Sequence, residues 1–128
     1  MPPIPAVTKA MMLICTAVFC VQLLLSRYVP LQAWFALWPP ASPRFMPWQV
    51  LTYAFLHGDM LHLFFNMMGL WMFGSELERL WGQKRYIHFL LAGVLAAAVA
   101  QLVISTLAGS PWPTVGASGA LFAMLLAF

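Results

Sequence analysis

The sequence is poor in charge. Nine of its 128 residues are Asp, Glu, Lys or Arg, a share of 7% where soluble domains carry roughly 25%. Only Asp59, Glu76 and Glu78 are acidic. So little charge beside 63% hydrophobic residues excludes an ordinary soluble domain. The net charge of +3 rests on too few side chains to build a basic face, so no nucleic-acid partner is expected. Cysteine is scarce too. Cys15 and Cys20 lie five apart in one apolar run and face different sides of a helix. They read as two buried thiols, not as a disulfide or a metal pair. The sequence contains no His-Glu-x-x-His or comparable ligand set, so neither metal nor cofactor is expected. The first apolar run has no convincing small-residue cleavage site, so no cleavable signal peptide is evident.

What remains is an all-α membrane protein, a polytopic bundle of transmembrane helices in one domain over residues 1–128. After a proline-rich head, residues 6–26 form a first span long enough to cross a bilayer. Residues 27–49 hold Pro30, Pro39, Pro40, Pro43 and Pro47, which exclude a continuous helix. Trp34, Trp38 and Trp48 suit the membrane–water boundary. This stretch reads as a loop in the outer interface with a short helix near Val29 to Leu37, or as an ordinary loop that its aromatics merely anchor. Further spans are expected at 60–80, with Asp59 as N-cap after a break at Gly58, at 86–107, and from 116 to 128. The third has a small-residue middle, Ala92 to Ala100, suited to close helix packing. Lys9, Arg79, Lys84 and Arg85 outnumber Arg27 and Arg44, which places the N-terminus in the cytoplasm. The fourth span is short. Its 11 residues from Ser118 reach about 16 Å against a bilayer core of roughly 30 Å, so a C-terminal truncation is expected.

Three polar residues stand out. His62 and Asn66 are four apart and share one helical face, stacked roughly 6 Å along the axis. Polar groups inside a membrane are costly and normally face the protein interior. The pair therefore points at a polar pocket, or else makes two interhelical hydrogen bonds. Ser118 sits between Gly116-Ala117 and Gly119-Ala120 at the head of the fourth span, where unpaired N–H groups and the helix dipole favour an oxyanion. It also reads as a simple cap or as part of a small-residue packing face. The expected topology puts Ser118, His62 and Asn66 at one shallow depth, open to the outside.

These residues resemble the rhomboid family of intramembrane serine proteases. His62-Leu63-Phe64-Phe65-Asn66 matches the family's His-x-x-x-Asn in the second transmembrane helix. Glu78-Arg79 matches an acidic–basic pair at that helix's cytoplasmic end. Gly116-Ala117-Ser118-Gly119 matches the Gly-x-Ser-Gly at the head of the fourth helix. Trp48, Thr52 and His57 fit the usual approach to the second helix. Gln49 departs from the pattern, since many members have arginine there. The resemblance covers nearly the whole chain, and its brevity suggests a compact bacterial type of the inner membrane.

The resemblance implies six spans, of which about four are present, the fourth incomplete. It implies cleavage of peptide bonds in or beside the membrane helices of protein substrates. Ser118 would be the nucleophile. His62, Asn66 and the Ser118 backbone N–H would form the oxyanion hole. Gly116, Ala117 and Gly119 would shape the turn, and Phe122 holds the place of an aromatic that stacks on the catalytic histidine. That histidine, the general base, lies in the family's sixth helix. His57, His62 and His88 are not expected to replace it, so this piece is expected to be inactive alone. The competing reading is a non-catalytic rhomboid-like protein that binds transmembrane helices as a chaperone or trafficking factor. Metal transport through His57, Asp59 and His62 is a remote third.

Overall fold

In the computed structural model, which describes residues 3–127, the regular elements are helices; the described residues hold one isolated β-bridge and no strand. Helix α1 (Ala6–Leu25) has 20 residues, about 30 Å, the thickness of a bilayer's hydrocarbon core. Two short helices follow, α2 (Leu31–Phe35) and α3 (Gln49–Thr52), then a 3-10 turn at Tyr53–Phe55. Next comes an unbroken helical run in three pieces. These are α4 (Met60–Gly69), a π-helical stretch Leu70–Gly74, and α5 (Ser75–Trp81). Gly82, at φ +83°, turns the chain into α6 (Gln83–Ala108). Helix α7 is Ser118–Leu126.

The outer faces of these helices stay apolar. Leu13, Leu24, Phe64, Val103, Ile104 and Leu107 are all exposed. Soluble proteins do not present so much continuous hydrocarbon to water. α1 and α6 are each long and apolar enough to cross a membrane. The chain is a multi-pass membrane protein.

Helices lie at all four expected stretches, with shifted ends. α1 stops at Leu25, α5 runs to Trp81, and α6 begins three residues before the expected Tyr86, because Gly82 alone makes the turn. Gly116 lies in the turn before α7, outside the helix, and Phe128 lies outside the described residues. The short interfacial helix falls within its expected range. One expectation fails. Cys15 is buried but Cys20 is exposed, because five residues rotate a helix by about 140°.

Contacts at both ends, Thr8 with Glu78 and Gln22 with His57, set α1 antiparallel to the α4–α5 run. At one end the Glu78 carboxylate is buried and accepts three hydrogen bonds from the start of α1. They come from Val7 N (2.9 Å), Thr8 N (2.7 Å) and Thr8 Oγ1 (2.9 Å). A helix start has unpaired N–H groups and a positive dipole end, so a carboxylate there answers both needs. Arg79 points the other way, to Glu76 at 3.7 Å. The neighbouring acid and base in sequence thus serve separate partners. Glu78→Gln turns an amide N–H₂ toward donors. It is expected to cost about 2–4 kcal/mol of stability, read as a lowered unfolding midpoint in detergent. An unchanged midpoint would show that the cap is not stabilising.

Where α6 meets α7, small residues let the helices touch. A β-carbon on Gly93 would lie 3.2 Å from Ala123 Cβ, and one on Gly119 would collide with Ala97. Without a hydrophobic drive inside lipid, such close packing is a main source of helix association.

One side chain makes three of the bonds that hold the 27–49 loop. Gln49 is fully buried. Its Oε1 accepts from Trp38 N (3.3 Å), and its Nε2 donates to the carbonyls of Trp34 (3.2 Å) and Arg44 (2.8 Å). The amide that departs from the family pattern therefore anchors the loop itself. Thr52 Oγ1 adds a bond to the Phe35 carbonyl at 2.7 Å.

Candidate active site

The site grows from the start of α4. Asp59 has an extended backbone, and its Oδ1 accepts from His62 N at 2.8 Å, an N-cap as expected. This sets the register that sends His62 and Asn66 inward on one face. Asn66 is buried, while His62 keeps some exposure.

The opposite wall is the turn before α7. Thr114 and Leu37 exchange two backbone hydrogen bonds of 2.9 Å, tying the turn to the 27–49 loop. Gly116 N donates to the Tyr53 carbonyl at 2.8 Å, and the Tyr53 hydroxyl donates to the Val94 carbonyl in α6 at 2.7 Å. Gly116 has φ +109°. A β-carbon there would sit 2.5 Å from His62 Cε1 and 2.8 Å from its Nε2. The residue must be glycine for both conformation and space.

Ser118 opens α7 between these walls. Its Oγ donates to Asn66 Oδ1 at 3.1 Å and lies 3.4 Å from His62 Nε2. The three polar residues singled out from sequence meet in one place. The first N–H groups of α7 have no intrahelical partner. Asn66 Nδ2 is buried without a hydrogen-bond partner among the described residues. A buried donor beside a serine needs an acceptor in front of it, and a substrate's carbonyl oxygen is one that fits.

The other expected residues divide. Ala117 is buried in the turn. Gly119 serves the α6–α7 contact. Phe122 faces outward, 67% exposed, away from the cluster. His88 is exposed near the start of α6, at the end of the molecule that carries Glu78.

His57 is fully buried, its ring 5.1 Å from that of His62 and tilted by 60°. Neither of its ring nitrogens has a partner in hydrogen-bonding geometry among the described residues. Burial, and next the charge on His62, push its pKa down to about 4; the Phe55 carbonyl acts in the other direction. His57 is thus neutral when folded and gains a proton more readily when unfolded. The unfolded chain binds more protons between about pH 6.5 and 4, so stability is full above that window and is lost as pH falls through it. Acidification across the window is expected to cost on the order of 3 kcal/mol. Thermal unfolding in detergent at stepped pH measures this. His57→Phe should flatten the profile, and an equally steep one would assign the loss to another group.

Sequence reading missed two contributors. Gln22, near the end of α1, is buried and grips the His57 peptide on both sides. Its Nε2 donates to His57 O at 3.0 Å, and its Oε1 accepts from His57 N at 3.1 Å. A glutamine in an apolar span was the available signal. Tyr53 gave none, since aromatic residues are common beside spans.

Residues 44–128 match the Rhomboid domain. The chain is 38% identical over 78 residues to Rhomboid protease GluP of Bacillus subtilis, covering 61% of this chain and 14% of that protein. It is 33% identical over 119 residues to Rhomboid protease GlpG of Klebsiella pneumoniae, covering 92% and 41%. It is 32% identical over 134 residues to Rhomboid-like protein 15 of Arabidopsis thaliana, covering 96% and 33%. The chain spans less than half the length of each. A domain match over most of the chain, on a helical membrane fold, makes this protein a member of the rhomboid family.

Proposed function

We propose that this chain carries the nucleophile and oxyanion hole of an intramembrane serine endopeptidase acting on peptide bonds in or near the transmembrane segments of membrane proteins. The observation that supports it most is Ser118 Oγ within 3.1 Å of Asn66 and 3.4 Å of His62, beside the open donor Asn66 Nδ2. In this reading Ser118 attacks the scissile carbonyl. The negative charge that develops on the carbonyl oxygen is met by Asn66 Nδ2, His62 Nε2 and the Ser118 N–H. Preorganised donors of this kind are worth roughly 3 kcal/mol each. Gly116 and Ala117 shape the turn. The resting hydroxyl proton lies toward Asn66, which is no base. The base that the family resemblance implies is a histidine on a later helix, outside this chain. Phe122, exposed on α7, is free to stack on it. The N-terminus lies in the cytoplasm, the site opens outward, and the membrane is the bacterial inner membrane.

The 3.4 Å approach of His62 favours one second reading, in which His62 itself takes the serine proton. A non-catalytic helix-binding role would leave both the hydroxyl and its open donors unused.

The test is a fluorophosphonate probe with the adduct located by mass spectrometry. The 128-residue chain and the same sequence with its downstream helices are labelled side by side. Rapid labelling at Ser118 only with those helices is the expected result. Rapid labelling of the chain alone would favour His62 as base, and no Ser118 adduct in either would leave the helix-binding role.

A further inference from the structure

The geometry points to Gln22 as a positioning residue that fixes the tautomer of His62 from a different helix; the inference rests on the site reading above. The relay runs in one direction. Gly58 N–H is aimed at His62 Nδ1, at 3.4 Å. A ring nitrogen that accepts cannot carry the proton, so the neutral ring bears it on Nε2. That nitrogen faces Ser118 Oγ at 3.4 Å. The serine hydroxyl in turn donates to Asn66 Oδ1 at 3.1 Å. Every donor in the series Gly58, His62, Ser118 thus has an acceptor ahead of it. An Nε2–H group is what an oxyanion needs. The opposite tautomer would face Ser118 with a lone pair and act as a base instead.

Gly58 is exposed, so its bond to Nδ1 competes with water and holds only if the backbone is fixed. Asp59 fixes it on one side by capping α4. Gln22 fixes it on the other by gripping both the N–H and the C=O of His57, the residue before Gly58. The His57 ring, 5.1 Å from that of His62, closes one face of the imidazole. Gly116 lets the turn press on its Cε1–Nε2 edge. Gln22 touches none of these reacting atoms and acts wholly through the 57–58 backbone.

Nitrogen NMR of the histidine rings reads the tautomer without substrate, with His62 assigned by signal loss in His62→Gln. The wild-type protein should show His62 protonated on Nε2. Gln22→Leu should move the ratio toward the Nδ1–H form by roughly fivefold, the worth of one hydrogen bond. Gln22→Glu keeps the acceptor for His57 N–H but loses the donor to its carbonyl, and should fall between. With a transmembrane substrate, both variants should lower kcat and leave KM unchanged. A wild-type His62 protonated on Nδ1 overturns the inference, whether or not either variant folds. So does a folded Gln22→Leu protein with the wild-type ratio. Absence of any cleavage by the full-length wild-type enzyme would sink the protease reading and leave the tautomer result standing.

Discussion

In the proposed protease, with later helices supplying the base, Ser118→Ala is expected to lower cleavage of a reporter transmembrane substrate by at least about 10³-fold. Alanine removes the oxygen that lies 3.4 Å from His62 and 3.1 Å from Asn66. The fold should survive. Ser118 makes no side-chain cap in α7, and its neighbours Ala117 and Ala120 keep their buried contacts. Asn66→Ala should cost less, roughly 10²–10³-fold, because one oxyanion donor is lost while the nucleophile stays. The order matters. A serine variant that cuts near normally would remove the serine mechanism altogether. An asparagine variant that cuts normally would remove only its donor role. Initial rates at saturating and subsaturating substrate separate these outcomes, since an oxyanion donor acts on kcat and a packing residue acts on both constants.

Much of this site was legible because membranes make polar residues conspicuous. In an apolar run, His62 and Asn66 four apart allow few arrangements, and the observed one brings them to Ser118. The spans were legible for the same reason. Helix boundaries were less so, because one glycine at 82 suffices for the turn where the expected spans left residues 81–85. What sequence did not reveal were the long-range amide contacts. Gln22 reaches His57 across 35 positions, and Gln49 organises a loop through three backbone groups. A glutamine has four hydrogen-bonding sites and no sequence pattern says where they go. The same applies to the Leu37–Thr114 bridge, a pairing of two backbones with no side-chain signature.

Gly116→Ala is the second large effect expected. Two costs meet at this position. At φ +109° an L-residue is strained, typically by about 1–3 kcal/mol. The new methyl would also stand 2.5 Å from His62 Cε1 and 3.4 Å from Asn66 Nδ2. His62 is held close by, because the His57 ring lies 5.1 Å from it and Asp59 holds its backbone. Either the turn or the imidazole must move, and Ser118 is two residues away. A displacement of about 1 Å at a reacting group costs roughly 10²-fold in rate, so that loss is expected together with a lower unfolding midpoint. Gly109→Ala separates the two causes. Gly109 also has positive φ, +65°, but nothing lies within 4 Å of its missing β-carbon. It should lower the midpoint through strain alone and leave cleavage intact. If Gly116→Ala cuts as well as Gly109→Ala, the close approach of that turn to His62 is not part of the site.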